Sequence, residues 1–519
     1  MRPHADPAAS APTVQSKPEP RLTWRTVVAL LALALGARLP AYAVNENWLG
    51  DAIPRTDLAQ QWAAAPHWIS SYADGAAQFG PLHLYVVGAA LKLGVPRQRA
   101  GPLTSLVFGT FTVLPLAALS RRLFGRTAAV WSAVALAFWG LHIQMSTTGA
   151  SEALALFLML WALALFDAGR TRSLVASGLV LTVAGAVRYD LWLLVPLLSL
   201  LALLHGDDRR AAFGRAVAFG LACAPFPAVW LYGNWRAMGD PLYPIRFVDS
   251  FHRGWVADGL RLWGEASFRV QNLLFWPGTA VMTLGVLVSG AGMGGMIWAF
   301  RARRDVRWLL WTAWVPAAYF TFRGAVLLDF QPLARFTVGQ VALLLPFVRP
   351  GAEQILRGLP PRAWRAAVAV GAASLVALTG WLAWYTNDTR KEPAHSLLPL
   401  SPLSRNPPEV RAMLALFDAQ RLEGWEMVLV DADPGDYYRD IQVAFGLRHP
   451  DKRVVRRRWD VWEESLGGAL PDVVIRFEGG WLEKTPGVSV EGGELRFRGR
   501  ALEEVPGAPA PMHLYRARR

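Results

Sequence analysis

Apolar windows of roughly 18–20 residues recur through the first three quarters of the chain, each long enough to cross a hydrocarbon core about 30 Å thick. This repetition limits the fold more than any other feature, because backbone inside lipid must satisfy its own hydrogen bonds and only helices or closed barrels do so. Candidate spans fall near 26–43, 101–119, 127–145, 152–168, 174–190, 191–205, 214–231, 273–300, 308–322, 336–349 and 366–386. Composition agrees with them. Of 519 residues 53% are hydrophobic and only 18% charged, whereas a soluble domain carries about a quarter charged residues.

The formal net charge of +14 resembles a nucleic-acid signature until the arginines are located. Alternate connections read "RRLFGR", "GRTR", "HGDDRRAAFGR", "RARRDVR" and "RPGAEQILRGLPPRAWR", and together they hold 16 Arg and Lys residues. Short basic loops mark the cytoplasmic side, so the amino terminus is expected inside. An odd number of spans then leaves the carboxyl terminus outside. The run "KRVVRRRWD" lacks interleaved aromatics and reads as a solvated sheet face, and no nucleic-acid partner is expected.

The expected fold class is therefore an α-helical polytopic membrane protein of about eleven transmembrane helices. It carries a large first outer loop with juxtamembrane helices and a small C-terminal α/β extracytoplasmic domain. Residues 1–25, rich in Pro, Ala and Ser, are expected to be a disordered cytoplasmic tail. The first span is read as an uncleaved signal anchor, since Arg38 and Pro40 interrupt the segment ahead of "AYA". Residues 26–386 form the expected membrane domain, with outer loops at 44–100 and 232–272, and 387–519 the outer domain. In that last part "PEVRAMLALFDAQRL" has helical periodicity, while "EMVLVDAD", "RVVRRR", "DVVIRFE" and "GELRFRG" read as strands. The stretch "PLHLYVVGAALKLG", 81–94, would rise only about 21 Å as a helix and reads as an interfacial helix. His83 and Tyr189 are read as interface anchors.

Ionisable residues near span ends on the non-cytoplasmic side are functional candidates by default, because a charge at a membrane face is costly unless solvated, paired or used. They comprise Asp51, Arg55 and Asp57 in "WLGDAIPRTDLAQQW", Arg97 and Arg99, Glu152 at the mouth of a span, Arg188 and Asp190 in "VRYDLW", and Arg335 in "DFQPLARF". Arginines grip a phosphate in bidentate fashion, and a carboxylate takes the proton of an attacking hydroxyl. Together they suit glycosyl transfer from a lipid phosphate. The single cysteine, Cys223, and nine unpaired histidines support no metal site, although two acids leave a divalent metal open.

The order of these features resembles the type C glycosyltransferases that use lipid-linked donors, in the protein O-mannosyltransferase and lipid A aminoarabinose transferase branch. The matching features are "GARLP" ending the first span, "GDAIPRTDLAQQW", "GPLHLYVVGAALKLG", Arg97 or Arg99, "RRLFG", Glu152, Arg188–Tyr189, "GDPLYP" and Arg335–Phe336, over about 26–350. The resemblance implies that the first-loop acid, Asp51, activates or orients the acceptor, with Asp57 as the competing position. Glu152 would be the second acid, and Arg55, Arg99, Arg188 and Arg335 would bind donor phosphate. Many members carry a second acid where this chain has Ala52. The implied donor is a polyprenyl-phosphate sugar, the acceptor a glycolipid, polysaccharide or protein, and the location a bacterial inner membrane amid its lipids. A polytopic transporter or lipid flippase is the competing reading. It fits less well, since the charges gather at one face and no internal repeat is found.

Overall fold

The computed structural model describes residues 21–46, 51–205, 208–387, 402–406, 408–420, 424–431, 449, 452–456 and 466–518. Most of the amino-terminal tail and much of the "KRVVRRRWD" run lie outside the described residues.

Helix α1, Trp24–Val44, begins at Thr23, whose hydroxyl accepts from the N–H of Thr26 at 3.2 Å, and it stops at Asn45. Two short helices follow, α2 at Ala52–Ala64 and α3 at Pro81–Lys92, and they pack side by side. A Cβ on Gly88 would meet the Trp62 ring at 2.4 Å, so the glycine lets the two axes approach closely. Next come α4, Arg97–Phe111, and α5, Val113–Phe138, which breaks at Gly125 where φ is +86°. The short α6, Gly140–Met145, leads through a buried turn into α7, Glu152–Leu165. Helices α8, Thr171–Gly185, and α9, Leu194–Leu203, flank the turn that carries Arg188. Helices α10, Arg209–Cys223, and α11, Pro225–Met238, form a pair bent by 52°.

An amphipathic helix α12, Tyr243–Trp263, precedes the long α13, Glu265–Ala302, and α14, Arg307–Phe322. The stretch expected as one span at 336–349 is instead broken. A 3-10 turn at Ala334–Thr337 leads to α15, Val338–Ala342, then another turn and α16, Val348–Ile355. Proline at 346 lacks the N–H that a continuous helix requires at that position. Helix α17, Pro361–Asn387, closes the helical part.

Among the described residues four helical runs are long and apolar enough to cross a membrane: Trp24–Val44, Arg97–Phe138, Glu265–Ala302 and Pro361–Tyr385. The bent α10–α11 pair makes a fifth. The remaining apolar helices are shorter than the spans read from hydropathy, because glycine and proline divide runs that hydropathy alone joins. One large apolar core of buried side chains from α1, α5, α7, α8, α13 and α14 ties the helices together.

Helix α18, Pro408–Ala419, packs on a seven-stranded mixed sheet of order β2-β1-β3-β7-β6-β5-β4. Strands β1 (Met427–Val430), β2 (Arg453–Arg456) and β3 (Val473–Phe477) run parallel, and all five positions of β3 are buried. Strands β4 (Val488–Glu491) and β5 (Glu494–Phe497) form a hairpin turned at Gly492–Gly493, with φ of +57° and +80°. Strands β6 (Arg500–Val505) and β7 (Met512–Ala517) complete the antiparallel part. The four strands expected from the sequence are present, and β4, β6 and β7 are additional.

Candidate functional site

Four charged residues from separate parts of the chain meet at one end of the helical body. Asp51 precedes the first turn of α2 yet makes no side-chain cap hydrogen bond, so its carboxylate is free for another partner. That partner is Arg335, whose guanidinium reaches it at 2.6 Å from the turn between α14 and α15. Arg335 also lies 3.8 Å from Glu152, the first residue of α7. Glu152 is 4% exposed and accepts from Arg188 at 2.6 Å, and Arg188 donates again to Asp190 at 3.0 Å. An acid at the first turn of α7 is favoured by the helix dipole. Phe336 lies beneath both arginines, with the Arg188 and Arg335 guanidinium carbons 5.5 and 5.3 Å from its ring centre.

Arg55 completes the cluster. It is 6% exposed, sits 4.0 Å above the Phe79 ring, and forms no ion pair within 4 Å among the described residues. Its Nε and Nη1 have no hydrogen-bond partner there. The cluster thus holds three arginines and three carboxylates, and of the three arginines Arg55 has buried guanidinium nitrogens without a hydrogen-bond partner among the described residues. Burial lowers Arg55 to about 10, against the attraction of Asp51 and Glu152, and leaves it protonated at neutral pH. Burial would raise Asp51, but Arg335, Arg55 and Arg188 outweigh it and hold the carboxyl below its ordinary range.

A cavity opens beside the cluster, with about 510 Å³ of space free of protein atoms. Glu152, Arg188 and Asp190 are its charged lining, and Leu156, Met159, Leu194, Pro316 and Leu343 are among its apolar walls. Its lining combines charged and hydrocarbon side chains.

Not every expected site residue joins this group. Asp57 pairs with Arg97 and is 44% exposed. It lies inside α2, which starts at Ala52, so it does not cap that helix. Arg99 donates to the Tyr42 carbonyl at 2.8 Å and covers the Tyr42 ring, apart from the cluster. Of the two residues read as interface anchors, His83 is buried and Tyr189 is half-buried. His83 is 1% exposed, and Tyr189 stacks 6.0 Å from Trp230. Burial and the nearby Arg55 push the His83 imidazole well below its ordinary value, so it is neutral. Asp190 carries an ion pair that the resemblance does not assign. Among the described residues no group of three or more His, Cys, Asp or Glu is placed to hold a metal ion.

Helices long and apolar enough to cross a membrane, a small appended sheet domain and a cluster of opposed charges at one end of the helical body define the class of architecture. Residues 78–231 match the family model described as dolichyl-phosphate-mannose-protein mannosyltransferase, a stretch that contains Glu152, Arg188 and Asp190. The fold is similar to that of ArnT from Cupriavidus metallidurans bound to undecaprenyl phosphate. That likeness has a TM-score of 0.62 at 13% identity, covering 94% of this chain and 97% of that one. The apo state of the same protein gives 0.60 at 15% identity over the same shares. The oligosaccharyltransferase AglB from Archaeoglobus fulgidus, in complex with an inhibitory peptide and a dolichol-phosphate, gives 0.48 at 13% identity over 87% and 69%. No curated protein sequence matches the chain.

Proposed function

We propose that the protein is an integral membrane glycosyltransferase. It moves a sugar from a polyprenyl-phosphate donor to an acceptor hydroxyl on a glycolipid, polysaccharide or protein, by inverting displacement. The observation that carries this reading is the Asp51–Arg335–Glu152–Arg188–Asp190 network, whose Glu152, Arg188 and Asp190 line a cavity with largely apolar walls. A lipid phosphate has the same two parts. Its charge would rest against the arginines while its first isoprene units run along α7, α9 and α14. The mannosyltransferase family match and the fold of a protein that binds undecaprenyl phosphate support it.

In the transfer, the acceptor oxygen bonds to the anomeric carbon as the bond from that carbon to the phosphate oxygen breaks. The electron pair of the broken bond stays on the phosphate, and the acceptor proton passes to Asp51. With its pKa held low by Arg335, Asp51 is a weak base. It orients the hydroxyl and takes the proton late, once the nucleophile has lost most of its own hold on it. Stabilising the departing phosphate is the larger contribution. Arg55, with unspent donors, is the first contact for that charge. Arg188 and Arg335 follow as their carboxylates turn toward the sugar hydroxyls.

We place the site on the outer face of a bacterial inner membrane, with the amino terminus in the cytoplasm and residues 387–519 as an outer domain. The basic alternate loops support this orientation. The test is a comparison of envelope glycolipids, polysaccharides and glycoproteins by mass spectrometry in cells with and without the gene. Loss of one sugar from one acceptor class is expected. An unchanged profile in all three contradicts the reading.

A further inference from the structure

Residues 402–406, which lie in sequence between α17 and α18, bind the helical body through specific hydrogen bonds. Asn45, the residue that ends α1, uses its whole side-chain amide there. Its Nδ2 donates to Thr147 Oγ1 at 2.7 Å and to the Pro402 carbonyl at 3.0 Å, and its Oδ1 accepts from the Ser404 N–H at 2.8 Å. The backbone beside it joins in. The Glu46 N–H donates to the Ser404 carbonyl at 2.9 Å, and Glu46 Oε2 accepts from the Asn406 N–H at 2.7 Å. From α6, Gln144 Nε2 donates to the Leu403 carbonyl at 2.9 Å. Asn45, Gln144, Thr147, Ser404 and Asn406 are all 4% exposed or less.

A segment that only tethers a domain runs over the surface and bonds to water. This one is buried and read by side chains. The two places it joins are those that set the site. Asn45 lies six residues before Asp51, and Thr147 lies five before Glu152. One amide therefore links the end of α1 to the turn before Glu152, and the 402–406 segment binds the same amide. Deeper in the same seam, Arg38 donates to His142 Nδ1 at 2.7 Å, so α1 and α6 are also joined below. Gly109 of α4 backs directly onto the turn, where an added Cβ would lie 2.1 Å from Ser146 Oγ.

We infer that residues 402–406 form a strap that fixes the spacing of the Asp51 and Glu152 loops, with Asn45 and Gln144 as positioning residues for the transfer reaction. The inference rests on the glycosyl transfer proposed above. Neither side chain belongs to the charge cluster, so their loss leaves donor recognition intact and displaces the acids. A displacement of about 1 Å lowers turnover roughly 100-fold.

The experiment uses full-length protein with Asn45→Ala or Gln144→Ala. Affinity for undecaprenyl phosphate is measured on the purified, monodisperse fraction. Transfer is measured in cells lacking the native gene, as envelope sugar restored per inserted protein. Undecaprenyl phosphate affinity is expected to stay within about threefold of wild type, while transfer falls about 10- to 100-fold. A purely structural role would lower the amount of inserted protein and leave transfer per molecule unchanged. If Asn45→Ala does not fold, Gln144→Ala, which removes a single hydrogen bond, carries the test. Wild-type transfer per molecule in the folded variants, with Asp51→Asn inactive, overturns the strap and leaves the transfer reading standing. Wild-type transfer by Asp51→Asn, or no sugar lost on deleting the gene, overturns the transfer reading and the strap with it.

Discussion

Replacing Arg188 by methionine keeps its length and removes its charge, which leaves Glu152 in a dry place with Arg335, at 3.8 Å, as its one ion-pair partner within 4 Å among the described residues. The Arg188 side chain is 14% exposed and that of Glu152 is 4%, so water screens the pair poorly. Removing one partner of such a pair costs about 3–5 kcal/mol, because the charge left behind stays buried without compensation. The same change turns a balanced cluster of three arginines and three carboxylates into one with an excess negative charge. At an effective dielectric of about 20, one charge at about 4 Å contributes roughly 4 kcal/mol, so undecaprenyl phosphate should bind about 1,000-fold more weakly. Glu152→Gln is milder, since Arg188 keeps Asp190 at 3.0 Å and the site gains positive charge. It should bind undecaprenyl phosphate at least as tightly as wild type while transferring little sugar. The double variant separates the terms. Losses that come from an orphaned carboxylate are largely restored by neutralising it, so Arg188→Met with Glu152→Gln should recover at least half of the stability lost by Arg188→Met alone. Chemical unfolding of the detergent-solubilised variants and a lipid-binding titration measure both quantities. A loss under about 1 kcal/mol for Arg188→Met, or strict additivity in the double variant, would refute the reasoning.

Asp57→Asn should retain near-wild-type transfer and lose less than about 1 kcal/mol of stability, because its pair with Arg97 is half exposed. Arg99→Ala should bind undecaprenyl phosphate almost normally, while Arg335→Gln weakens it at least tenfold, read in one titration series. Gly80→Ala places a Cβ 2.2 Å from the Ala186 carbonyl oxygen, two residues before Arg188. It should cost about 1–3 kcal/mol on unfolding and lower transfer as well. Asp51 sets a pH window of defined sign. Its folded pKa is depressed, so its contribution to stability is fully present above the ordinary carboxylate value of 3.8 and is lost as pH falls through the lower folded value. Stability measured from pH 7 to 4.5 should therefore be the same for wild type and Asp51→Asn in its pH slope, and the two should diverge only below about 4.

The charged part of the site was legible because lipid makes charge rare. Asp51, Glu152, Arg188 and Arg335 stand out where apolar runs end, and the fold draws all four together. Arg55 joins them, but what it does there depends on Phe79 and on its having no ion pair within 4 Å among the described residues, which no spacing reveals. Asp57 and Arg99 lie as near to span ends as the others, yet the turn of α2 and the Tyr42 carbonyl take them elsewhere. His83 and Tyr189 look like interface residues by composition. Only the packing of the helices buries His83 and sets Tyr189 against Trp230 of α11. The least legible part is the seam at Asn45. Apart from Glu46 its residues are uncharged, its strap partners lie more than 250 positions away in the chain, and five of its hydrogen bonds use strap backbone that carries no sequence signal. Strands β6 and β7 hide for a related reason. Their exposed faces carry Arg and Glu in cross-strand pairs such as Arg516–Glu503, which dilutes the apolar alternation. The "EGGE" turn at 491–494 is the signal that would have revealed β4.

The central claim is that the charge cluster receives a phosphate as it departs from a sugar. Purified protein in nanodiscs can be given undecaprenyl-phosphate sugars extracted from the host membrane, together with envelope membranes from cells lacking the gene. Free undecaprenyl phosphate released over time is then followed by mass spectrometry. The account predicts steady, acceptor-dependent release by wild type, and at least a 100-fold lower rate for Asp51→Asn that still binds undecaprenyl phosphate. No release by wild type, or equal release by Asp51→Asn, would contradict it.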